Sequence, residues 1–224
     1  GNTGQAISPL TAALLVATYG QRSIVWYAGL ALLTIVILFN IGRWYKHHGL
    51  ARIRGAAAVK HPDLSRRQVR IALAVLLLLI FSKFFYLASI SSYYTFYLIH
   101  TFGMSVQSAQ VHLFFFLGAV AAGTLLGGPL GDRIGRKYVI WFSILGMLPF
   151  TLMLPYANLF WTGILSVIIG LVMSSAFPAI VVYAQELLPG RVGMIAGLFF
   201  GLSFGLSGIV ASLLRDMVYV TFNA

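Results

Sequence analysis

The sequence contains no cysteine and only four acidic residues in a chain of 224. The absence of cysteine excludes disulfide bonds and any zinc or iron–sulfur site with cysteine ligands. Charged residues make up 8% of the chain and hydrophobic residues 60%, whereas about 25% of a typical soluble domain is charged. So few charges cannot cover a soluble surface of this size. The composition therefore predicts an integral membrane protein.

Long apolar runs predict seven membrane-spanning helices, so the expected fold is an all-α helix bundle. The predicted spans are residues 4–19, 24–42, 71–98, 109–127, 138–154, 159–184 and 192–213. The last span carries glycines at a four-residue spacing, at positions 193, 197, 201 and 205. Because this spacing brings the glycines into one stripe, we expect a groove there in which another helix packs.

Most of the basic residues lie in one polar stretch, residues 43–70, which holds eight bases and one acid. Such a stretch could bind nucleic acid or anionic lipid, or it could be a cytoplasmic linker that follows the positive-inside rule. Spans on both sides and the lack of interleaved aromatic residues favour the linker. Alternation of the spans then places twelve bases on the cytoplasmic side and two on the other. This asymmetry accounts for the net charge of +11 without a nucleic-acid partner.

A second charged stretch, GGPLGDRIGRK at residues 127–137, separates the fourth and fifth predicted spans. Its glycines predict a hinge, because glycine allows tight turns. The pattern G-x-L-x-D-R-x-G-R-K, from Gly128 to Lys137, resembles the loop between the second and third helices of each half of major facilitator superfamily transporters. The segments 81–98 and 183–191 extend this resemblance to bacterial antibiotic exporters of the superfamily.

The resemblance implies a secondary active transporter that works by alternating access, in which two six-helix halves rock about a site at mid-membrane. The chain is then a fragment with about helices five to eleven of twelve. Residues 1–45 are the last two helices of the N-terminal bundle, 46–70 are the cytoplasmic linker, and 71–224 are the C-terminal bundle without its last helix.

The resemblance also implies what is carried and where. We expect proton-coupled export of a small anionic drug, of phosphonate type, across the bacterial inner membrane. The complete protein is expected to be a monomer in the lipid bilayer, with the proton as its coupling ion and no other cofactor. Transport of another metabolite or drug is the alternative.

Other chemistries find little support in the residues. No G-x-x-x-x-G-K-[ST] loop is present, so this chain is not a nucleotide-driven pump. No acid lies in the core of a predicted span, where an intramembrane hydrolase would bury a pair. Ser82 and Lys83 are adjacent and point about 100° apart on a helix, which disfavours a Ser-Lys dyad. His100 and His112 flank one turn without an accompanying acid, so we expect no metal. An enzyme and a purely structural membrane subunit remain as alternatives.

Lys83 is the one base inside a predicted span, roughly 18 Å along it. A lysine at that depth costs about 2.5–3.5 kcal/mol and is tolerated when it is paired or functional. Because the spans offer no acid, we expect its partner to be an anion or a group outside them. The predicted substrate-binding residues are Lys83, Tyr86, Ser89, Tyr93 and Tyr94. The alternative is a structural contact between Lys83 and the carbonyls of a neighbouring helix.

The resemblance further implies a conformational latch at the cytoplasmic side, formed by Asp132, Arg133, Arg136 and Glu186. Asp132 is expected to face the N-terminal end of the first span, at residues 1–4, where the helix dipole is positive. Arg133 or Arg136 is expected to reach Glu186 at the end of the sixth span. These contacts would hold the cytoplasmic side shut while the cavity faces outward.

Overall fold

The structure is a computed structural model that describes residues 2–16, 19–53, 65–188 and 190–202, together with residues 204–206, 208, 209 and 212. Gly1, the middle of the linker at 54–64 and the tail at 213–224 lie outside the described residues. The described residues are almost entirely helical, as the apolar runs predict.

The helices follow one another along the chain with short connections. Helix α1 covers Asn2–Thr11 and continues as a π-helical turn at Ala12–Val16, and a 3₁₀ turn at Gln21–Ile24 precedes α2 at Val25–Ile53. The following helices are α3 at Arg66–Phe102, α4 at Val106–Ile134, α5 at Arg136–Leu145 and α6 at Met147–Met153. A 3₁₀ turn at Leu154–Tyr156 leads to α7 at Leu159–Ser174, α8 at Ala176–Leu187, and α9 at Val192–Ala196, which runs into a π-helical turn at Gly197–Gly201.

Four helical stretches in the described part of the chain are long and apolar enough to cross a membrane: Arg66–Phe102, Val106–Ile134, Arg136–Tyr156 and Leu159–Leu187. They are the third to sixth predicted spans. The first and second predicted spans also fall on helix, since α1 and its π-helical turn together cover residues 4–16 of the first and α2 contains the apolar stretch Ala28–Trp44. The prediction of an all-α membrane bundle is confirmed.

Local sequence explains where α3, α4 and α7 begin. Ser65 caps α3, because its hydroxyl accepts from the Gln68 amide while the Gln68 side chain accepts from the Ser65 amide. The Ser105 hydroxyl accepts from the amide of Ser108 to cap α4, and the Asn158 side chain accepts from the amide of Trp161 at 3.0 Å to cap α7. These caps fix the residues at which the three helices begin.

The helices on either side of the basic linker are longer than predicted. Helix α2 continues to Ile53 and α3 begins at Arg66, so both enter the stretch 46–70 that we assigned to the linker. The physical reason is that lysine and arginine are good helix formers. A helix can therefore carry them onward once it has left the apolar layer.

The predicted hinge at 127–137 is wrong in its extent. Helix α4 runs on to Ile134, and Gly135 alone separates it from α5. Gly135 has φ 105° and ψ 131°, a conformation that is almost restricted to glycine. The glycines before it are helical, and two of them, Gly123 and Gly127, allow close packing. An added Cβ would overlap the Leu171 carbonyl oxygen at Gly123 and the Ser175 carbonyl oxygen at Gly127. Backbone of α4 therefore touches backbone at the junction of α7 and α8.

The sixth predicted span is not one continuous helix. It is interrupted at Ser175, between α7 and α8, and Pro178 lies in the first turn of α8. Proline lacks a backbone N–H and cannot bond the carbonyl four residues earlier. Pro178 therefore offers no N–H to the carbonyl of Ser174. The fifth span is likewise interrupted, at Gly146.

Helix α4 lies at the centre of the packing, against α1 on one side and α3, α7 and α8 on the others. Large side chains in the core are fully buried, among them Ile80, Phe116, Ile169, Met173 and Ile180. The glycine stripe at 193, 197, 201 and 205 is exposed, and an added Cβ would meet no atom of the described residues within 4 Å. The prediction that another helix packs there stays a prediction.

Candidate functional site

The Lys83 side chain is buried in the interior of the helix bundle. Lys83 lies within one residue of the midpoint of the 37-residue helix α3, and only 4% of its surface is exposed. Its ammonium donates to the hydroxyl oxygen of Ser143 on α5 at 2.8 Å and to the backbone carbonyl of Met173 on α7 at 3.1 Å. One charged group thus joins three helices near the middle of α3.

These partners correct one expectation. We expected an anion or a group outside the spans to be needed, yet two neutral acceptors within the chain bond the ammonium. They are the kind of contact that the structural alternative for Lys83 describes. Neither partner carries a charge, so the positive charge itself is not neutralised by them. Binding of substrate by Lys83 stays a prediction.

The acidic residues in the described part of the chain do not contact Lys83. Only Asp132 and Glu186 of the four acids lie among them, and both pair with Arg136. Neither is bonded to Lys83. Within the part of the chain that the structure describes, Lys83 is therefore a buried cation without a bonded carboxylate. A cation at this depth has a high desolvation cost unless an anion approaches it.

Two of the predicted tyrosines also face helices α6 and α7. The Tyr86 hydroxyl lies 3.0 Å from Thr151 Oγ1, and the Tyr94 hydroxyl donates to Ser166 Oγ at 2.9 Å. Ser89 instead donates to the Phe85 carbonyl of its own helix at 2.9 Å. The structure thus brings Lys83, Tyr86 and Tyr94 to the inner side of α3.

The remaining predicted residue, Tyr93, is partly buried on the same helix. Sequence reasoning missed the three hydroxyl partners, Ser143, Thr151 and Ser166. Each lies in an apolar helical segment, which makes it a candidate for a contact between helices. A hydroxyl surrounded by apolar residues needs a hydrogen-bond partner when it is buried in a membrane.

Three predicted latch residues meet near the C-terminal end of α4. Arg136 Nη2 lies 3.3 Å from Asp132 Oδ1, and Arg136 Nη1 is paired with Glu186 Oε1. Arg136 makes both contacts because Gly135 turns the chain and sets Arg136 at the start of α5, beside the end of α8. The geometry therefore selects Arg136 over Arg133 as the partner of Glu186. The approach of Asp132 to residues 1–4 and the function of the cluster as a latch stay predictions.

His112 lies beside an open apolar groove between α4 and α7. The groove has a volume of about 660 Å³, and Phe115, Phe160, Ile164 and Val167 contribute to its walls. His112 Nδ1 lies 3.0 Å from the Ser108 carbonyl, so this nitrogen carries the hydrogen. The contact fixes the ring on its own helix.

Comparison with known proteins adds the relatives of the chain. A sequence profile of the Major Facilitator Superfamily matches residues 1–212. The chain is 59% identical over 215 residues to the fosmidomycin resistance protein of Escherichia coli (strain K12), which covers 96% of this chain and 53% of that protein. It is 40% identical over 222 residues to YfnC of Bacillus subtilis (strain 168), an uncharacterised transporter of major facilitator type, with 97% of this chain and 54% of that protein covered. The chain spans about half the length of these curated relatives. No solved structure matches it.

Proposed function

Because this chain belongs to the major facilitator superfamily, whose members are transporters rather than enzymes, we propose that it is part of an exporter of small anionic drugs of the fosmidomycin type. The exporter works by alternating access, in which two helix bundles rock about a site at mid-membrane. The likeness of 59% to a fosmidomycin resistance protein supports the substrate class. The bacterial inner membrane is the location that fits the excess of bases on one side.

The observation that carries the proposal is the buried ammonium of Lys83. It has two neutral acceptors, Ser143 and Met173, and an ammonium has three N–H donors. A substrate anion can take the third donor and supply the charge that neutral acceptors lack. Tyr86, Ser89, Tyr93 and Tyr94 line the same helix and would contribute hydroxyls and rings to the site. The proposal therefore assigns the anion to the Lys83 level of α3.

The cluster of Arg136, Asp132 and Glu186 would act as the cytoplasmic latch. The Arg136–Glu186 pair joins the start of α5 to the end of α8. Half of the Glu186 side chain and more of Asp132 is exposed, so the pairs are solvated and individually weak. Weak pairs suit a contact that must break in each cycle. Release of Glu186 by Arg136 would loosen the cytoplasmic end of the C-terminal bundle and accompany the opening of access from the cytoplasm.

The proposed coupling ion is the proton. Only the protonated form of Lys83 is positively charged and binds an anion. If Lys83 carried the coupling proton, the anion and the proton would cross the membrane in the same direction. An exporter driven by proton entry needs the opposite, because proton binding must follow substrate release. The proton acceptor would therefore be a group other than Lys83. The membrane potential, negative inside, already favours the exit of an anion by about 2.3 kcal/mol per charge per 100 mV.

The test replaces Lys83 with Met in the complete protein that the gene encodes. Fosmidomycin resistance of expressing cells and transport of labelled fosmidomycin into inverted membrane vesicles are measured at matched expression. We expect a loss of at least tenfold for Lys83→Met and partial activity for Lys83→Arg, which keeps the charge. Ser82→Ala, at the exposed neighbouring position, is the control and should behave as wild type. Full transport by Lys83→Met would show that Lys83 is a structural contact.

The same vesicles decide the coupling and the substrate class. Dissipation of the pH gradient at constant membrane potential should slow the transport of fosmidomycin. If the gradient has no effect, the proton is not the coupling ion. If the wild-type protein moves another anion but not fosmidomycin, the function is transport of a different metabolite or drug.

A further inference from the structure

Ser143 is the one serine or threonine in helix α5, and its side chain is fully buried. The hydroxyl donates to the Ile140 carbonyl of its own helix at 2.9 Å and accepts from the Lys83 ammonium at 2.8 Å. A hydroxyl has a single hydrogen, and here the Ile140 carbonyl takes it. The oxygen lone pairs are thereby turned towards Lys83. Ser143 is an oriented acceptor for a positive charge.

Two other buried serines, Ser174 and Ser175, make hydrogen bonds within their own helix. Ser174 donates to the carbonyls of Gly170 and Leu171, and Ser175 donates to the carbonyl of Val172. These bonds stay within one helix. Serine in a membrane helix needs no more than this to be satisfied. The contact from Ser143 to Lys83 crosses between helices and is additional to its own satisfaction.

The second acceptor fixes the ammonium from another direction. The Met173 carbonyl lies on α7, two residues before the interruption at Ser175. A free lysine side chain has four rotatable carbon–carbon bonds and many rotamers. Acceptors on two different helices reduce these to one position. Removal of either acceptor lets the ammonium move.

We propose that Ser143 is a positioning residue of the transporter, which holds the Lys83 ammonium where a substrate anion binds it. The part of this proposal that concerns substrate binding rests on the proposed function. Its geometric part, the placement of the charge by Ser143, stands separately. Ser143 does not contact the substrate in this scheme and acts through Lys83. It therefore has no effect when Lys83 is absent.

The experiment is a double-mutant cycle in the complete protein, with Ser143→Ala and Lys83→Met alone and together. Fosmidomycin transport into vesicles gives KM and the maximal rate. We expect Ser143→Ala to raise KM about tenfold, the effect of one hydrogen bond to a charged group. In the Lys83→Met background the same change should alter KM by less than about twofold. Ser143→Thr, which keeps the oxygen, should restore most of the affinity.

Ser174→Ala is the matched control, because it removes an equally buried hydroxyl whose bonds stay within its own helix. It should leave KM near the wild-type value. Equal effects of Ser143→Ala and Ser174→Ala on KM would overturn the proposal. So would an effect of Ser143→Ala that is the same with and without Lys83, since Ser143 would then act by packing alone.

A second measurement needs no substrate and separates the two proposals. The complete protein is labelled with ¹⁵N at the lysine ammonium groups, and the Lys83 resonance is identified by its loss in Lys83→Met. Ser143→Ala should shift this resonance and speed its hydrogen exchange at least severalfold, whereas Ser174→Ala should not. An unchanged resonance overturns the role of Ser143 whatever the substrate. A changed resonance in a protein that does not carry fosmidomycin supports the placement of the charge and rejects the proposed function.

Discussion

Substitution of Gly127 by alanine should separate two helices that now touch. A Cβ at Gly127 would overlap the carbonyl oxygen, carbonyl carbon and Cα of Ser175. All three atoms are backbone, so no side-chain rotation can relieve the overlap. Helix α4 must then move away from the α7–α8 junction by about an ångström. Forced overpacking of this kind costs about 1–3 kcal/mol, and rigid backbone on both sides places it near the upper end.

Gly118 provides a matched control on the same helix. An added Cβ there meets no atom of the described residues within 4 Å. Alanine in a helix is favoured over glycine by about 1 kcal/mol. Gly118→Ala should therefore leave the free energy of unfolding unchanged or raise it by up to about 1 kcal/mol. Gly127→Ala should lower the free energy of unfolding by about 2 kcal/mol, because the gain of about 1 kcal/mol in helix propensity offsets part of the overpacking cost of about 3 kcal/mol.

The measurement is the unfolding of the purified complete protein in detergent, by heat or by a denaturing detergent. A difference of about 3 kcal/mol between the two variants corresponds to a change of roughly a hundredfold in the unfolding equilibrium. Gly127→Ala should also reduce the amount of protein in the membrane. Equal stability of Gly127→Ala and Gly118→Ala would refute the close crossing of α4 with the α7–α8 junction.

Three further predictions concern the cytoplasmic end and the topology. Glu186→Gln, which removes the charge that Arg136 pairs with, should lower stability by no more than about 1 kcal/mol yet change the transport rate, and an unchanged rate would speak against a latch. Gly135→Ala should destabilise the protein by about 1–3 kcal/mol in the same unfolding assay, because alanine avoids this backbone conformation; an unaffected variant would contradict it. Cysteine introduced at Ser65 should be labelled from the cytoplasm alone and cysteine at Gln107 from outside alone, in a chain without native cysteine; labelling of the Ser65 variant from outside would reverse the topology.

The existence of the spans could be predicted from the sequence because hydrophobicity dominates insertion into a membrane. Their boundaries were less accessible. Residues 127–131 carry glycines that suit a turn, and the same glycines suit close packing of helices. Only the partner decides between these uses, and the partner of Gly127 is Ser175, 48 residues later. A sequence pattern does not show which distant residue a glycine contacts, so the hinge was predicted too long.

The candidate site divides in a similar way. Lys83 could be identified from its sequence position, because a charge within an apolar run is costly wherever it points. Its partners could not, since Ser143 and Met173 lie 60 and 90 residues further along the chain. The Arg136–Glu186 pair could be predicted because the family resemblance implied both residues. The choice of Arg136 over Arg133 depended on the single-residue turn at Gly135.

The order of synthesis gives the Lys83 contacts a consequence for biogenesis. Helix α3 leaves the ribosome before α5 and α7, and its acceptors follow 60 and 90 residues later. At about 5–20 residues per second, the ammonium waits roughly 3–12 seconds for Ser143 and roughly 4.5–18 seconds for Met173. During that interval α3 must enter the bilayer by its own apolar residues against a penalty of about 2.5–3.5 kcal/mol. The long apolar first half of α3, from Ile71 to Phe81, offsets this penalty before the tertiary contacts exist.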